Sequence, residues 1–203
     1  MARQLLIFVK APRMGQVKRR LARDIGGPEA LQFYRRTARR LILSLAGDPR
    51  WQSHLIVTPD DFDGREPFWP RALPVIKQGG GDLGQRMHRA FRAAPPGPAV
   101  LVGSDIPDLG PRHIAEAFDA LGRHDAVFGP AEDGGYWLVG FARCARRADP
   151  FANVAWSSPS ALADTLANLP KRYSVAMLEK LGDIDVGADY TRWRERCRQE
   201  TQE

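Results

Sequence analysis

Short runs of consecutive apolar residues alternate along the chain with longer segments in which apolar residues recur at helical spacing. The apolar runs have the length of buried β-strands. They predict strands at residues 4–9, 55–58, 73–77, 99–103, 125–128, 136–139 and 173–177. The other segments predict helices at residues 17–24, 27–46, 83–93, 111–121, 159–169 and 190–199. Strands that alternate with helices are typical of an α/β sandwich built on a mostly parallel sheet.

This fold class also predicts where a ligand binds. In open parallel sheets, ligands lie beyond the carboxyl ends of the strands. Four segments follow predicted strands and carry polar or charged residues. They are the basic loop (residues 10–20), the glycine loop (residues 79–84), residues 104–108 and residues 183–185.

The composition is that of a globular chain, with 43% hydrophobic and 27% charged residues, so wholesale disorder is not expected. The length suits one domain, and we expect residues 1–203 to form it. The longest early apolar run, residues 5–9, is too short for a leader peptide or a membrane span. The two cysteines, Cys144 and Cys197, lie far apart without Cys-x-x-Cys spacing. The absence of such spacing argues against a disulfide framework or a zinc site and favours a protein of the reducing cytoplasm. The short apolar run predicts no membrane partner.

The net charge of +6 is unevenly distributed. The first fifty residues contain twelve Lys or Arg and three Asp or Glu, so they carry +9 and the remainder carries −3. Seven basic residues and no acidic residue lie within the first 23 positions, around the basic loop. Nucleic acid is one partner that such a field would attract, but no recognised DNA- or RNA-binding motif supports it. We therefore expect a smaller anion.

The basic loop has the features of a phosphate-binding loop. It follows the first strand, contains Gly15 and precedes a helix, so backbone N–H groups and a helix N-terminus can face an anion. Positive side chains come from Lys10, Arg13, Lys18 and Arg20. The Walker A pattern G-x-x-x-x-G-K-[ST] is absent. The alternative is a basic surface loop that binds nothing.

The glycine loop, Gly-Gly-Gly-Asp-Leu-Gly, formally matches G-x-G-x-x-G, and Asp105 follows 21 residues after its last glycine. This approaches a dinucleotide-binding fingerprint, so NAD binding is one hypothesis. Two residues argue against it: Asp82 would place a carboxylate where the pyrophosphate should lie, and Pro74 makes the preceding strand a poor central strand. The loop could instead border bound phosphates through Gly81 and Asp82, or simply lead into a helix N-cap at Asp82.

Carboxylates occupy the other two segments. Asp105 follows the clearest buried strand, and its hard oxygens suit Mg²⁺ or Mn²⁺ bound to nucleotide phosphates. Asp183 and Asp185 share one face of an extended segment, where their mutual repulsion favours a cation opposite them. The alternatives are that Asp105 caps the turn at Pro107 and that solvent alone screens the second pair.

A fifth segment, residues 132–135, reads as a plain hairpin turn. Asp133, Gly134 and Gly135 are followed by Tyr136, so the turn also offers a carboxylate, free backbone and an aromatic face to a sugar or base. A plain turn and a ligand-binding turn are therefore both hypotheses for this segment.

Taken together, these motifs resemble a bacterial family known as DUF2064, within the nucleotide-diphospho-sugar transferase (GT-A) superfamily. Some members of this family are labelled glycosyltransferases of arsenosugar biosynthesis. More distantly, the chain resembles the guanylyltransferases of molybdenum-cofactor and coenzyme F420 biosynthesis. The matching stretches are residues 8–18 with 20–21, 81–87, 103–109, 129–140 and 183–185.

The resemblance implies a GT-A fold, a three-layer α/β sandwich with a mostly parallel mixed sheet. It further implies that Asp105 is the principal metal ligand and Asp185 the second acidic ligand. The cations of the basic loop would lie along nucleotide phosphates, and residues 133–135 would meet the base, sugar or acceptor. Two departures from the family pattern are Arg19, where a Thr is usual, and residues 186–189, which read Val-Gly-Ala-Asp instead of Thr-Pro-Glu-Asp.

These features favour a divalent-metal-dependent transferase that acts on a nucleotide or nucleotide-sugar and a small-molecule acceptor. Asp105 and Lys18 would be its catalytic residues, with Mg²⁺ or Mn²⁺ held by Asp105, Asp183 and Asp185. The cations of the basic loop favour nucleotidyl transfer from a nucleoside triphosphate to a small phosphorylated acceptor. Glycosyl transfer from a nucleotide-diphosphosugar is the alternative. A non-catalytic nucleotide-binding module and an NAD-dependent oxidoreductase are further hypotheses, and the oligomeric state is left open.

Overall fold

The structure of the chain is a computed structural model that describes residues 1–62, 69–70, 73–143 and 149–200. Cys144 lies outside these residues. The strands are β1 (Gln4–Lys10), β2 (Gln52–Thr58), β3 (Val75–Lys77), β4 (Ala99–Gly103), β5 (Ala126–Pro130), β6 (Tyr136–Phe141) and β7 (Val175–Met177). The helices are α1 (Arg19–Ile25), α2 (Gly27–Ala46), α3 (Leu83–Ala93), α4 (Pro111–Ala120), α5 (Ala161–Ala167) and α6 (Gly187–Glu200).

The strands form one sheet in the order β3-β2-β1-β4-β6-β5-β7. Every neighbouring pair is parallel except the two that include β6, which is antiparallel to both β4 and β5. β1 and β4 are adjacent, and Phe8 is in register with Gly103, so the two strands end side by side. The segments that follow them therefore meet at one edge of the sheet.

Helices cover both faces of the sheet. Along β1, Leu5 and Ile7 pack into the cluster that contains side chains of α2 and α4, whereas Leu6 packs into the cluster that contains side chains of α3. All three strand residues are fully buried. Burial of such a side chain stabilises the fold by about 1.5–3 kcal/mol. A strand that is apolar on both faces requires a helical layer on each side, and the prediction of a three-layer sandwich with a mostly parallel sheet is confirmed.

The predicted elements all occur, with differences at their ends. β3 is shorter than predicted and begins after Pro74, which cannot donate a ladder hydrogen bond, and it lies at the edge of the sheet. α6 begins at residue 187 rather than 190 because the Asp189 carboxylate accepts from the backbone N–H groups of Asp185 and Val186, at 3.1 Å each. None of the helices among the described residues is both long and apolar enough to cross a membrane.

Candidate functional site

A cavity of about 470 Å³ lies beyond the carboxyl ends of β1, β3 and β4. The basic loop, the glycine loop and the segment after β4 all contribute to its wall. The polar or charged residues on the wall include Lys10, Lys18, Gln78, Arg86, Ser104 and Asp105. This polar cavity therefore lies at the carboxyl ends of parallel strands, where ligand sites are expected in such a sheet.

Lys18 lies at the centre of the side-chain arrangement. Its Nζ is 2.9 Å from Oδ2 of Asp105 and 2.9 Å from Oδ1 of Asp185. Its side chain is only 3% exposed, whereas the two carboxylate side chains are 38% and 40% exposed. Three segments that are distant in the sequence thus meet at one ammonium group. The sequence predicted that each segment belongs to the site, but it did not predict this pairing.

Local structure fixes each member of this triad. Lys18 is the N-cap residue of α1 and has a left-handed backbone, with φ 45°. Asp105 is the second residue after the end of β4. Asp185 comes after Leu181, which pairs with Ala131 in an isolated parallel bridge and so carries the chain past the end of β5.

The electrostatics of the triad favour the charged forms. Burial opposes a charge on Lys18, but the carboxylates of Asp105 and Asp185 outweigh burial and raise the pKa of Lys18 above its usual value. Burial likewise disfavours ionisation of Asp105, but the Lys18 ammonium holds the pKa of Asp105 below its usual value. At neutral pH the site therefore presents a buried ammonium at Lys18 and an ionised carboxylate at Asp105.

Asp183 has different surroundings. Within the described part of the chain, its carboxylate has no hydrogen-bond or ion-pair partner. Burial, followed by repulsion from Asp185, raises the pKa of Asp183 to about 6. The Lys18 ammonium lowers the pKa of Asp183 but does not offset burial and the neighbouring carboxylates. A half-buried carboxylate whose charge is only partly balanced would gain from a positive ligand.

The donor set fits a hard divalent cation, because carboxylate oxygens are the ligands that Mg²⁺ and Mn²⁺ prefer. One carboxylate oxygen of Asp105 and one of Asp185 both contact the positively charged Lys18 ammonium. Across the described ranges, however, no three Asp, Glu, His or Cys side chains stand together as a ready metal cluster. The acids can hold a cation, but in this arrangement the ammonium is the cation that they hold.

The remaining predicted members of the basic loop lie at different distances from the cavity. Lys10 lines it. Arg13 and Arg20 are outside its lining: Arg13 pairs with Asp61 at 3.3 Å, and Arg20 approaches Asp185 at 3.7 Å with a side chain that is 67% exposed. Gly15 also lies outside the lining and has φ 74°, a value that favours glycine in this turn.

Polar groups of the glycine loop form hydrogen bonds with the backbone of the same loop and of the helix that follows. The Asp82 carboxylate accepts from the backbone N–H of Gln85 at 2.8 Å, and the Gln85 side chain accepts in return from the backbone N–H of Asp82 at 3.1 Å. This is a capping box, so the N-cap expected at Asp82 is confirmed. Gly81 has φ 98°, and Arg89 binds the carbonyls of Gln78 and Gly80. Asp82 still borders the cavity, whereas Gly81 does not.

A second cavity, of about 230 Å³, adjoins the first and shares Asp105 with it. Its wall includes Asp133, Gly135, Tyr136 and Asp183, together with apolar and aromatic side chains. Residues 132–135 do form the turn of the β5–β6 hairpin, as the simpler reading predicted. Gly134 has φ 86°, and the Asp133 carboxylate accepts from the backbone N–H of Gly135 at 2.9 Å. The same hairpin therefore also walls a cavity beside Asp105.

Sequence reasoning missed Tyr34. Its spacing along α2 predicted a core residue, and it is 4% exposed. Its hydroxyl nevertheless accepts from the backbone N–H of Lys10 and donates to the carbonyl of Lys10, both at 2.9 Å, and lies 3.3 Å from Oγ of Ser104. Tyr34 therefore ties the end of β1 to the segment that carries Asp105. Burial raises the pKa of Tyr34 to about 12, so it remains a neutral hydroxyl.

Gln78 and Arg86 were also missed. Gln78 is 4% exposed, its amide donates to the carbonyl of Ile56 at 2.9 Å, and its side-chain oxygen accepts from Arg86 at 3.2 Å. Arg86 lines the cavity from the first turns of α3 and so adds a third cation to Lys10 and Lys18. Arg86 lies within the family-like stretch of residues 81–87, but the residue pattern assigned it no role, and no motif covers Gln78. Both reach the cavity from segments that follow β3.

Comparison with solved structures confirms the expected fold. A protein from Desulfovibrio desulfuricans G20, provisionally assigned as a nucleotide-diphospho-sugar transferase, superposes with a TM-score of 0.83 at 32% identity, over 92% of this chain and 84% of that one. The 4-diphosphocytidyl-2C-methyl-D-erythritol synthase of Anaerococcus prevotii DSM 20548 superposes with a TM-score of 0.65 at 10% identity, over 97% and 96% of the chains. A cytidylyltransferase from Leptospira borgpetersenii gives 0.61 at 15% identity, over 94% and 84%. At such low identity the last two are alike in fold alone.

The sequence comparisons agree with the structural ones. No curated protein of known function matches the chain. A family of uncharacterised proteins conserved in bacteria, DUF2064, matches residues 41–158, which is more than half of the chain. This match confirms the resemblance inferred from the motifs. The chain belongs to the DUF2064 family and has the nucleotide-diphospho-sugar transferase fold.

Proposed function

We propose that this protein is a divalent-metal-dependent transferase that acts at the phosphates of a nucleotide. The observation that carries the proposal is that Lys18 pairs with both Asp105 and Asp185 beside a cavity. The wall of this cavity includes Lys10, Lys18, Arg86 and Asp105. Cations suited to phosphate thus lie beside carboxylates suited to Mg²⁺ or Mn²⁺. The name of the 32%-identical neighbour, which is provisionally assigned as a nucleotide-diphospho-sugar transferase, supports a transfer reaction that involves a nucleotide.

Within this class we favour nucleotidyl transfer from a nucleoside triphosphate to a small phosphorylated acceptor. An acceptor oxygen would attack the α-phosphorus in line, the bond to the β-phosphate would break, and pyrophosphate would leave. Lys10, Lys18 and Arg86 would bind the triphosphate and stabilise the charge that builds up on pyrophosphate, with Arg13 and Arg20 at the rim. Such a reaction requires positioning and charge neutralisation and needs no protein nucleophile.

The carboxylates have a separate task in this proposal. Asp105 would be the principal metal ligand. The further ligands would be Asp185, which shares the Lys18 ammonium with Asp105, and Asp183, which lines the second cavity together with Asp105. A bound Mg²⁺ or Mn²⁺ would supply charge neutralisation between the phosphates. The second cavity, with Asp133, Gly135 and Tyr136 on its wall, would hold the acceptor next to Asp105.

Glycosyl transfer is the alternative that one observation favours. The second cavity is small and has aromatic walls, including Tyr136 and Trp156, and such faces suit the apolar side of a sugar ring. In that case a nucleotide-diphosphosugar would be the donor. An acceptor hydroxyl would bond to the anomeric carbon of the sugar and lose its proton, the bond from that carbon to the diphosphate would break, and the nucleoside diphosphate would leave.

A thermal-shift screen followed by ³¹P NMR separates these reactions. Nucleoside triphosphates, nucleotide-sugars and NAD are each tested with and without Mg²⁺ or Mn²⁺. A ligand at a hundredfold excess over its Kd should stabilise the fold by about 2.7 kcal/mol. We expect metal-dependent stabilisation by a triphosphate, and pyrophosphate in the NMR spectrum once the acceptor is supplied. Stabilisation by a nucleotide-sugar alone would favour glycosyl transfer, and stabilisation by NAD alone, without metal, would overturn the proposal.

A further inference from the structure

The strongest unexplained feature of the site is that a lysine stands where a metal ion is needed. The Lys18 ammonium lies 2.9 Å from an oxygen of Asp105 and 2.9 Å from an oxygen of Asp185. Mg²⁺ binds carboxylate oxygens at about 2.0–2.1 Å. An ion bound to these two oxygens would therefore lie close to the ammonium and compete with it for the same carboxylates, and the repulsion between the two cations disfavours binding both at once.

We propose that Lys18 is an internal counter-cation that exchanges with the divalent ion. Without nucleotide, the ammonium neutralises Asp105 and Asp185 and keeps their affinity for metal low. When nucleotide phosphates enter the cavity, the ammonium turns to them and the carboxylates become free for the metal. This proposal rests on the proposed function, because it assumes that nucleotide and metal bind at this site.

The surroundings of Lys18 give the ammonium an alternative position. Lys18 lines the cavity of about 470 Å³, on whose wall Lys10 and Arg86 provide further positive charge. An entering phosphate group would thus meet Lys18 from the cavity. The left-handed backbone of Lys18 is fixed at the start of α1, so rotation about the side-chain bonds alone can move the ammonium.

Charge balance explains why such an exchange would be useful. Asp105 and Asp185 are held close together by the fold, and without a cation they would repel each other. The lysine keeps them paired until a substrate arrives. The coupling is reciprocal, since whatever draws the ammonium away must raise the affinity for metal, and metal must favour the phosphate-bound position of the ammonium.

The first test measures Mn²⁺ affinity in the absence of nucleotide, by electron paramagnetic resonance of free Mn²⁺. We expect Lys18→Gln to bind Mn²⁺ at least about tenfold more tightly than the wild type, a change of about 1.4 kcal/mol. Lys18→Arg retains the cation and should stay within about threefold of the wild type. Arg20→Gln is the matched control, because it removes a positive charge 3.7 Å from Asp185 that is exposed and screened, and it should also stay within about threefold.

The second test needs no destabilised variant. The chain contains five lysines, so the ¹H–¹⁵N signals of its side-chain ammonium groups are few enough to assign, with Lys18→Arg identifying that of Lys18. In the wild type without metal, the ion-paired Lys18 ammonium should give a protected signal. Saturation with Mg²⁺ should shift this signal or expose it to rapid exchange with water.

The outcomes separate the exchange from the proposed function. Three results would each overturn the exchange. Lys18→Gln could bind Mn²⁺ no more tightly than the wild type, Arg20→Gln could gain as much Mn²⁺ affinity as Lys18→Gln, or Mg²⁺ could leave the NMR signal of the Lys18 ammonium unchanged. In those cases Lys18 would be a permanent support for the carboxylates, and the proposed function would stand. Failure of every variant to bind Mn²⁺ would overturn the exchange together with the metal assignment.

Discussion

The basic loop and the glycine loop carry similar phosphate-binding signals in the sequence but use their polar residues differently. In the basic loop, Lys18 pairs with Asp105 and Asp185 from two distant segments. In the glycine loop, the Asp82 carboxylate caps α3, and the N–H of Gly79 donates to the carboxylate of Asp60 at 3.0 Å. The basic loop contributes a charged side chain to the site, whereas the polar groups of the glycine loop mainly stabilise the loop and the start of α3.

The position of each loop in the sheet explains the difference. The basic loop follows β1, a central strand flanked by β2 and β4, so it meets the segments that follow its neighbours. The glycine loop follows β3, an edge strand with a neighbour on one side only. Polar groups at the edge have fewer partners from other strands, and local capping satisfies them instead.

The largest effect should come from the carboxylate that the basic loop holds. Asp105→Asn keeps the size of the side chain but removes the charge that would bind metal. We expect transfer activity to fall by about 10³-fold, in keeping with the loss of one group that stabilises transition-state charge. Steady-state kinetics measures this fall, and circular dichroism checks the fold. Asp82→Asn is the control and should retain activity within about threefold.

Removal of Lys18 should cost stability, because two carboxylates would remain close together without a cation. For Lys18→Met we expect the free energy of unfolding without metal to fall by about 1–2 kcal/mol, less than for a fully buried pair since the acids are partly exposed. Urea denaturation measures it. Arg20→Met, which removes an exposed charge, should cost less than about 0.5 kcal/mol. Equal losses in the two variants would contradict a special role for Lys18.

In the glycine loop, the expected effect is on folding and not on binding. Asp82→Ala removes the N-cap of α3 and should lower the free energy of unfolding by about 1 kcal/mol. Asp82→Asn can still cap and should stay close to the wild type in stability. Isothermal titration should show that neither variant binds nucleotide more weakly than the wild type. Weaker binding by Asp82→Asn would mean that the carboxylate itself contacts the ligand.

The smallest effect concerns Asp183, whose carboxylate has no hydrogen-bond or ion-pair partner among the described residues. Because the pKa of Asp183 is raised to about 6 from a usual value of 3.8, the folded state binds more protons than the unfolded state between these values. Stability should therefore fall as pH rises from about 4 to 6. Relative to Asp183→Asn, the wild type should lose about 1 kcal/mol between pH 4.5 and 7.5, after allowance for solvent screening. Denaturation curves recorded without metal at several pH values measure the free energy of unfolding of both proteins. The same change with pH in the wild type and in Asp183→Asn would refute the prediction.

The order of the elements could be read from the sequence because both faces of the sheet are buried. Strands with apolar side chains on both faces, such as residues 4–9, stand out as continuous runs, and the carboxyl-end rule then indicates which loops meet. The turn at residues 132–135 predicted a hairpin, and the structure has one there. The insertion of β6 between β4 and β5, and its antiparallel pairing with β4, have no signal in the residue pattern.

The pattern of residue types along the chain did not predict the side-chain contacts within the site. Tyr34 has the spacing of a core residue, and only the crossing of α2 behind β1 brings its hydroxyl to Lys10 and Ser104. Conversely, Arg13 fits the charge pattern of the basic loop but pairs with Asp61 outside the cavity lining. Side-chain partners depend on tertiary packing, which residue types and spacing do not specify.

Isothermal titration with Mn²⁺ and the nucleotide found in the screen tests the central claim most directly, because it asks whether Asp105 links metal to nucleotide. The wild type should bind the nucleotide at least about tenfold more tightly with Mn²⁺ than without it, and Asp105→Asn should lose that gain. If Asp105→Asn binds the metal–nucleotide as tightly as the wild type does, the metal–phosphate site is not where Lys18, Asp105 and Asp185 meet.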